Sequence, residues 1–107
     1  MDNDFFKEIN VAVTVSDKDG NVVYQNDSSV NVNGDVRGKN MMGCHNERSQ
    51  QIIKHMLSAA ATNVYTISKK GKKKLIYQTP WYEDGEVKGL VEFSMVIPEE
   101  MPHYDRG

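Results

Sequence analysis

Several stretches of this chain alternate apolar with polar positions, and one repeats its apolar positions at helical spacing instead. Val11, Val13 and Val15 interleave with Ala12, Thr14 and Ser16, and this β-branched alternation predicts a half-buried strand. Asp17-Lys18-Asp19-Gly20 then predicts a turn in which the glycine takes positive φ. Residues 21–26 read as the returning strand, so residues 11–26 are expected to form a β-hairpin. Residues 27–38 are rich in Asn, Ser and Asp around isolated valines, and predict short helical turns and loop.

Ile52, Ile53, Met56, Leu57 and Ala60 follow a helical stripe, predicting a helix capped by Asn46 or Ser49 and ending near Thr62. Three further strands are expected over residues 64–69, 74–83 and 86–97, with Asp84-Gly85 as a tight hairpin signal. In the last of them Val87, Gly89, Val91, Phe93, Met95 and Ile97 share one face, and Lys88, Glu92 and Ser94 share the other. The apolar set is expected to look inward, with Phe93 and Met95 against the core. Trp81 and Tyr82 are adjacent on one strand, so one of them must look outward. At the N-terminus, Asp4 can cap a short helix over residues 1–9 presenting Phe5, Phe6 and Ile9, and Pro98 ends the last strand.

Strands joined mostly by hairpins, with the helices gathered between the second and third, define an α+β fold. The expectation is a five-stranded antiparallel sheet with helices packed on one face, in one domain over residues 1–107. Residues 10–97 would form its core and 98–107 a tail.

Composition narrows the partners. Thirteen Lys and Arg against 15 Asp and Glu leave a formal charge of −2, which nominates no particular partner. The run Lys69-Lys70-Gly71-Lys72-Lys73-Lys74 reads as a solvated hairpin tip, since no aromatic-interleaved basic surface accompanies it. Nucleic acid is therefore not expected as a partner. A single cysteine excludes an intramolecular disulfide, the acidic start lacks a signal-peptide layout, and no apolar run reaches membrane-spanning length. A cytoplasmic protein without membrane association is the expectation.

The chemistry-bearing stretch is Gly38-Lys39-Asn40-Met41-Met42-Gly43-Cys44-His45. Its glycines allow tight turning while the methionines offer soft apolar walls. Cys44 beside His45 invites a nucleophile-base reading, but chain neighbours rarely reach that geometry and no orienting Asp or Asn is identifiable. Cys44 reads as a small buried hydrophobe and His45 as a polar cap, so no enzyme is expected. One cysteine with three scattered histidines does not supply a structural metal site.

The element order and its local sequences resemble the PAS domain family. Asp17-x-x-Gly20-x-Val22-x-Tyr24-x-Asn26 matches that family's frequent opening hairpin, Gly38-Lys39 its approach to the long helix, and Asp84-Gly85 with Gly89-x-Val91-x-Phe93 its closing strands. Gly38-Lys39 followed by Cys44-His45 is similar to a bacterial and archaeal subgroup, although Asn46-Glu47 stands where those relatives usually carry prolines.

The resemblance implies a bacterial sensor that signals through dimer contacts or a signalling protein partner. It also implies a cavity between sheet and helices that holds a small-molecule ligand. The candidate lining is Met41, Met42, Cys44, His45, Ile53, Met56, Leu57, Phe93 and Met95. Two alternatives stay open. One is a ligand-free interaction and dimerisation module of the same fold. The other is a haem or redox sensor using His45 and Cys44, its cofactor otherwise unknown. At ~100° per residue His55 points away from the apolar stripe, which makes it a poor haem ligand. The cysteinyl-flavin helix motif is absent, and one cysteine cannot make a Cys-x-x-Cys-His attachment.

Overall fold

The Asp17 carboxylate organises the first turn. Its Oδ1 accepts from the Asp19 and Asn21 amides, both at 2.9 Å, and Oδ2 accepts from Asn21 Nδ2 at 3.2 Å. Gly20 follows at φ +90, so β1 (Ala12–Asp17) turns back into β2 (Val22–Gln25) as the hairpin pattern predicts. The structure, a computed structural model of the chain, describes residues 4–44 and 47–107, with Gly43 and Cys44 described through their backbone.

Asn26 ends the hairpin and caps α1 (Asp27–Asn33), its side chain accepting from the Ser29 amide. Each hydrogen-bonding position of that side chain is used. Oδ1 also accepts from the Val13 amide at 2.9 Å, and Nδ2 donates to the Phe6 and Val11 carbonyls, both at 2.7 Å. One buried residue thus joins the N-terminal segment, β1 and α1.

The next segment is strapped along the outer edge of β2. Gly38 donates to the Val22 carbonyl at 2.8 Å, Val22 to that of Lys39 at 2.9 Å and Met41 to that of Gly20 at 2.8 Å. Those bonds deliver a 3-10 helix, Met41–Cys44, over the sheet, ahead of α2 (Glu47–Ala59). Ile53 and Met56 are buried in α2, Leu57 is half-buried and His55 is exposed, as the stripe predicts, whereas Ile52 and Ala60 at its margins are exposed. The helix ends short of Thr62 because Ala60 takes φ +52, and Ala61 donates to the Met56 carbonyl at 3.0 Å.

The remaining strands are β3 (Asn63–Lys69), β4 (Lys72–Glu83) and β5 (Glu86–Val96). Lys70-Gly71 and Asp84-Gly85 link them with positive φ at both residues, the geometry that matches strand twist in two-residue hairpins. The lysine run is therefore an exposed hairpin tip. The five strands pair antiparallel in the order β2-β1-β5-β4-β3, so the first hairpin docks beside the last strand. Pro80 is tolerated within β4 because it lies beyond the last β3 pair, Asn63 with Gln78. No helix among the described residues is long and apolar enough to cross a membrane.

The N-terminal expectation needs correction. Residues 5–8 form a turn rather than a helix, with the Asp4 carboxylate accepting from the Phe6 amide at 3.1 Å and the Asp4 carbonyl from Lys7 at 3.3 Å. So short a segment cannot sustain helical bonds alone, and its anchors are external. Tyr24 donates its hydroxyl to Asp4, and Lys7 pairs with Asp27 at 3.2 Å.

Candidate functional site: a polar floor beneath the second helix

Antiparallel pairing places opposed residues on one face, and one row crosses all five strands: Gln25, Thr14, Glu92, Gln78 and Asn63. Every member is polar. The neighbouring rows on that face are Ala12, Ser94, Ile76 and Tyr65 on one side, and Ser16, Leu90 and Pro80 on the other. This is the face that α1 and α2 cover, so the row lies beneath the helices.

Hydrogen bonds bind the row at both ends. Asn63 Nδ2 donates to Gln78 Oε1 at 3.1 Å, and Gln78 Nε2 donates to Glu92 Oε1 at 2.8 Å. A carboxylate can only accept, so it dictates the orientation of the Gln78 amide and, through it, that of Asn63. At the other end Ser29 Oγ lies 2.6 Å from Thr14 Oγ1 and accepts from Gln25 Nε2 at 3.0 Å, while Gln25 Oε1 accepts from the Val36 amide at 2.8 Å. The two networks face each other across the Thr14–Glu92 pair.

Above that pair lies a cavity of about 30 Å³, lined by Thr14, Ser16, Met41, Met42, Ile53, Gln78, Leu90 and Glu92. Clefts continue from it on both sides. One of about 280 Å³ shares Thr14, Met41 and Glu92 and runs out past Val36 and Lys39. The other, about 380 Å³, shares Ile53 and Gln78 and lies between α2, Asn63 and Tyr65. Met41, Met42 and Ile53 therefore pinch a longer trough at its middle. Burial and the nearby Glu92 charge push the Tyr65 phenol upward.

Of the residues expected to line the site, Met41, Met42 and Ile53 border this cavity. Met56 and Leu57 pack in and beside the core of α2. His45 lies outside the described residues, as does the Cys44 side chain, so the redox and haem readings built on them lie there too.

Phe93 and Met95 are corrected. They oppose Tyr77 and Leu75 on the face away from the helices, where Val13, Val15 and Val91 also lie. The alternation was legible, but the assumption that the apolar set looks inward reversed it. Sequence reasoning thereby missed Glu92, Gln78, Thr14 and Asn63. Their signal was polar residues at alternate positions in neighbouring strands, as in Thr14 with Ser16 and Glu92 with Ser94.

No protein-family model matches the chain, and no curated protein matches its sequence. Solved structures do. The PAS domain of the histidine kinase ThkA superposes with a TM-score of 0.66 at 15% identity, over 81% of this chain and 99% of that one. The PAS domain of Bordetella pertussis BvgS gives 0.59 at 18% identity, over 88% and 82%. Vibrio cholerae VqmA, solved as a dimer, gives 0.69 at 16% identity, over 88% of this chain but 49% of its own length. This chain thus spans about half of VqmA. The fold is that of PAS domains: α+β, a five-stranded antiparallel sheet with helices on one face.

Proposed function

We propose that this chain is a non-catalytic sensory domain of bacterial signal transduction, acting in the cytoplasm, which binds a small molecule between α2 and the sheet and signals as a homodimer or to a protein partner. The observation that carries the reading is the continuous polar row beneath the helices. Buried polar side chains destabilise a core unless they are partnered, and a hydrogen-bonded polar floor under a trough suits a ligand better than it suits packing. Among the described residues its lining at the centre brings one ionisable side chain, Glu92, without a paired group of the kind catalysis needs.

The opposite face supports the dimer. Val64 and Tyr77 there are 50% and 39% exposed, beside half-buried Val91, Phe93, Met95 and Leu75, and Phe5 and Phe6 are exposed nearby in sequence to β1. A contiguous apolar sheet face of this kind is suited to burial against another protein surface. The comparison proteins bear on both halves of the reading: VqmA is solved as a dimer and bound to DPO.

Native mass spectrometry with light scattering tests this. A dimer is expected, reduced to monomer by Tyr77→Lys without loss of fold. A wild-type monomer at every accessible concentration would remove the dimer from the reading. The second reading, an interaction module with a filled core, rests on the small volume beneath Met41 and Met42. It predicts that no small molecule perturbs Thr14, Gln78 or Glu92.

A further inference from the structure

Glu92 is set where an anion is poorly placed to stand alone. It sits on β5 at the middle of the sheet, half-buried, beneath Met41 and Ile53. Oε1 accepts from Gln78 at 2.8 Å. Among the described residues no other hydrogen bond reaches the carboxylate and no basic side chain pairs with it, the ion pairs there being Lys7–Asp27, Arg37–Asp35 and Lys88–Glu86. Lys39 shares the outer cleft with Glu92, yet it is exposed and unpaired with it.

The rest of the row is already committed. Gln78 spends its carbonyl on Asn63 and an amide hydrogen on Glu92, and Thr14 shares its hydroxyl with Ser29. Beside the second Gln78 amide hydrogen and the Ser16 hydroxyl, the charged group left open at the centre of the floor is the Glu92 carboxylate, an acceptor. Around it the walls are apolar: Met41, Met42, Ile53 and Leu90. Methionines adapt to an occupant, and the outer cleft past Val36 gives its body a way out.

Resting on the reading of this trough as a ligand site, we propose that its ligand is a small organic cation: an amine or amidine, positively charged at neutral pH, with a compact apolar body. Glu92 recognises the charged nitrogen, while the methionines and Ile53 enclose the body. A donor-bearing cation meets the acceptor positions that Gln78 leaves open on this half-buried carboxylate and neutralises its charge, which a neutral or acidic compound of the same shape does not do.

The test uses the whole chain, with benzylamine, benzamidine and butylamine against benzyl alcohol, benzoate and butanol, followed by amide chemical shifts and thermal melting. The amines are expected to move the signals of Thr14, Gln78 and Glu92 and to raise the melting temperature, with their neutral and anionic counterparts much weaker. Glu92→Gln should weaken amine binding by at least about tenfold. Glu92→Asp, which keeps the charge, should retain the preference for amines and guards against loss of fold in the first variant. Neutral compounds that bind at this site as well as amines, with no effect of Glu92→Gln, would overturn the cation assignment and leave the ligand site standing. No response at these residues to any compound would overturn both.

Discussion

The Trp81 indole nitrogen on β4 donates to the Ser16 carbonyl on β1 at 2.9 Å, reaching across the whole width of the strand between them. The residue crossed is Gly89 of β5, which pairs with Asp17 on one side and Trp81 on the other. A Cβ there would collide with the Ser16 carbonyl and lie 2.6 Å from the indole nitrogen. Glycine at this point is thus what lets a side chain tie three strands together; of the aromatic pair, Tyr82 is the exposed member, at 51%.

Gly89→Ala should therefore destabilise the fold by about 2–3 kcal/mol, because the obstacle is backbone and cannot swing aside. Trp81→Phe, which keeps the ring bulk and loses the donor, should cost about 1 kcal/mol. Urea denaturation measures both, and Gly89→Ala at wild-type stability would contradict the crossing.

Asn26→Ala removes four side-chain hydrogen bonds, one of them the helix cap, at a residue that is 1% exposed. The expected loss is about 3 kcal/mol, above that of a simple cap, because buried backbone groups are left without partners. Faster amide exchange at Val13 and Ser29 would accompany it.

Alkaline titration should single out Tyr24. Burial and then the hydrogen bond to Asp4 push its phenol up to about 12 from an ordinary value of 10.0. A raised folded-state value stabilises the protein fully below about pH 10, and that contribution fades as pH rises toward 12. Absorbance at alkaline pH should show a tyrosine ionising late, and Tyr24→Phe should remove that step and flatten the loss of stability.

On the acid side Asp17 behaves in the opposite sense. Burial alone would raise its carboxyl, but hydrogen bonds from Asn21, Asp19 and Gly20 outweigh it and leave the value below 3.8. Its contribution is present above that value and disappears as pH falls beneath it. Asp17→Asn should make stability less sensitive to acid in that range.

Ala60→Gly should stabilise the fold. Ala60 ends α2 at φ +52, a conformation that strains an L side chain and that glycine adopts freely. A gain of about 0.5–1 kcal/mol in thermal or urea unfolding is expected.

The local devices were legible in the chain itself. Asp17 and Gly20 announce their turn, Asp84-Gly85 announces another, and the Ile53–Met56 spacing marks the buried side of α2, since each depends on neighbours a few residues away. The N-terminal turn was misread because Asp4 and Phe6 suit a helix start, while what holds them is Tyr24 and Asn26, far along the chain.

The alternation along residues 86–97 determined that Phe93 and Met95 lie on one face and Glu92 on the other. Only the tertiary structure decided which face the helices cover. That choice depends on the Gly38–Val22 and Met41–Gly20 bonds, which carry Met41 and Met42 over the polar row rather than the apolar one. A period of two says that a strand has two sides; contacts between distant segments say which of them is inside.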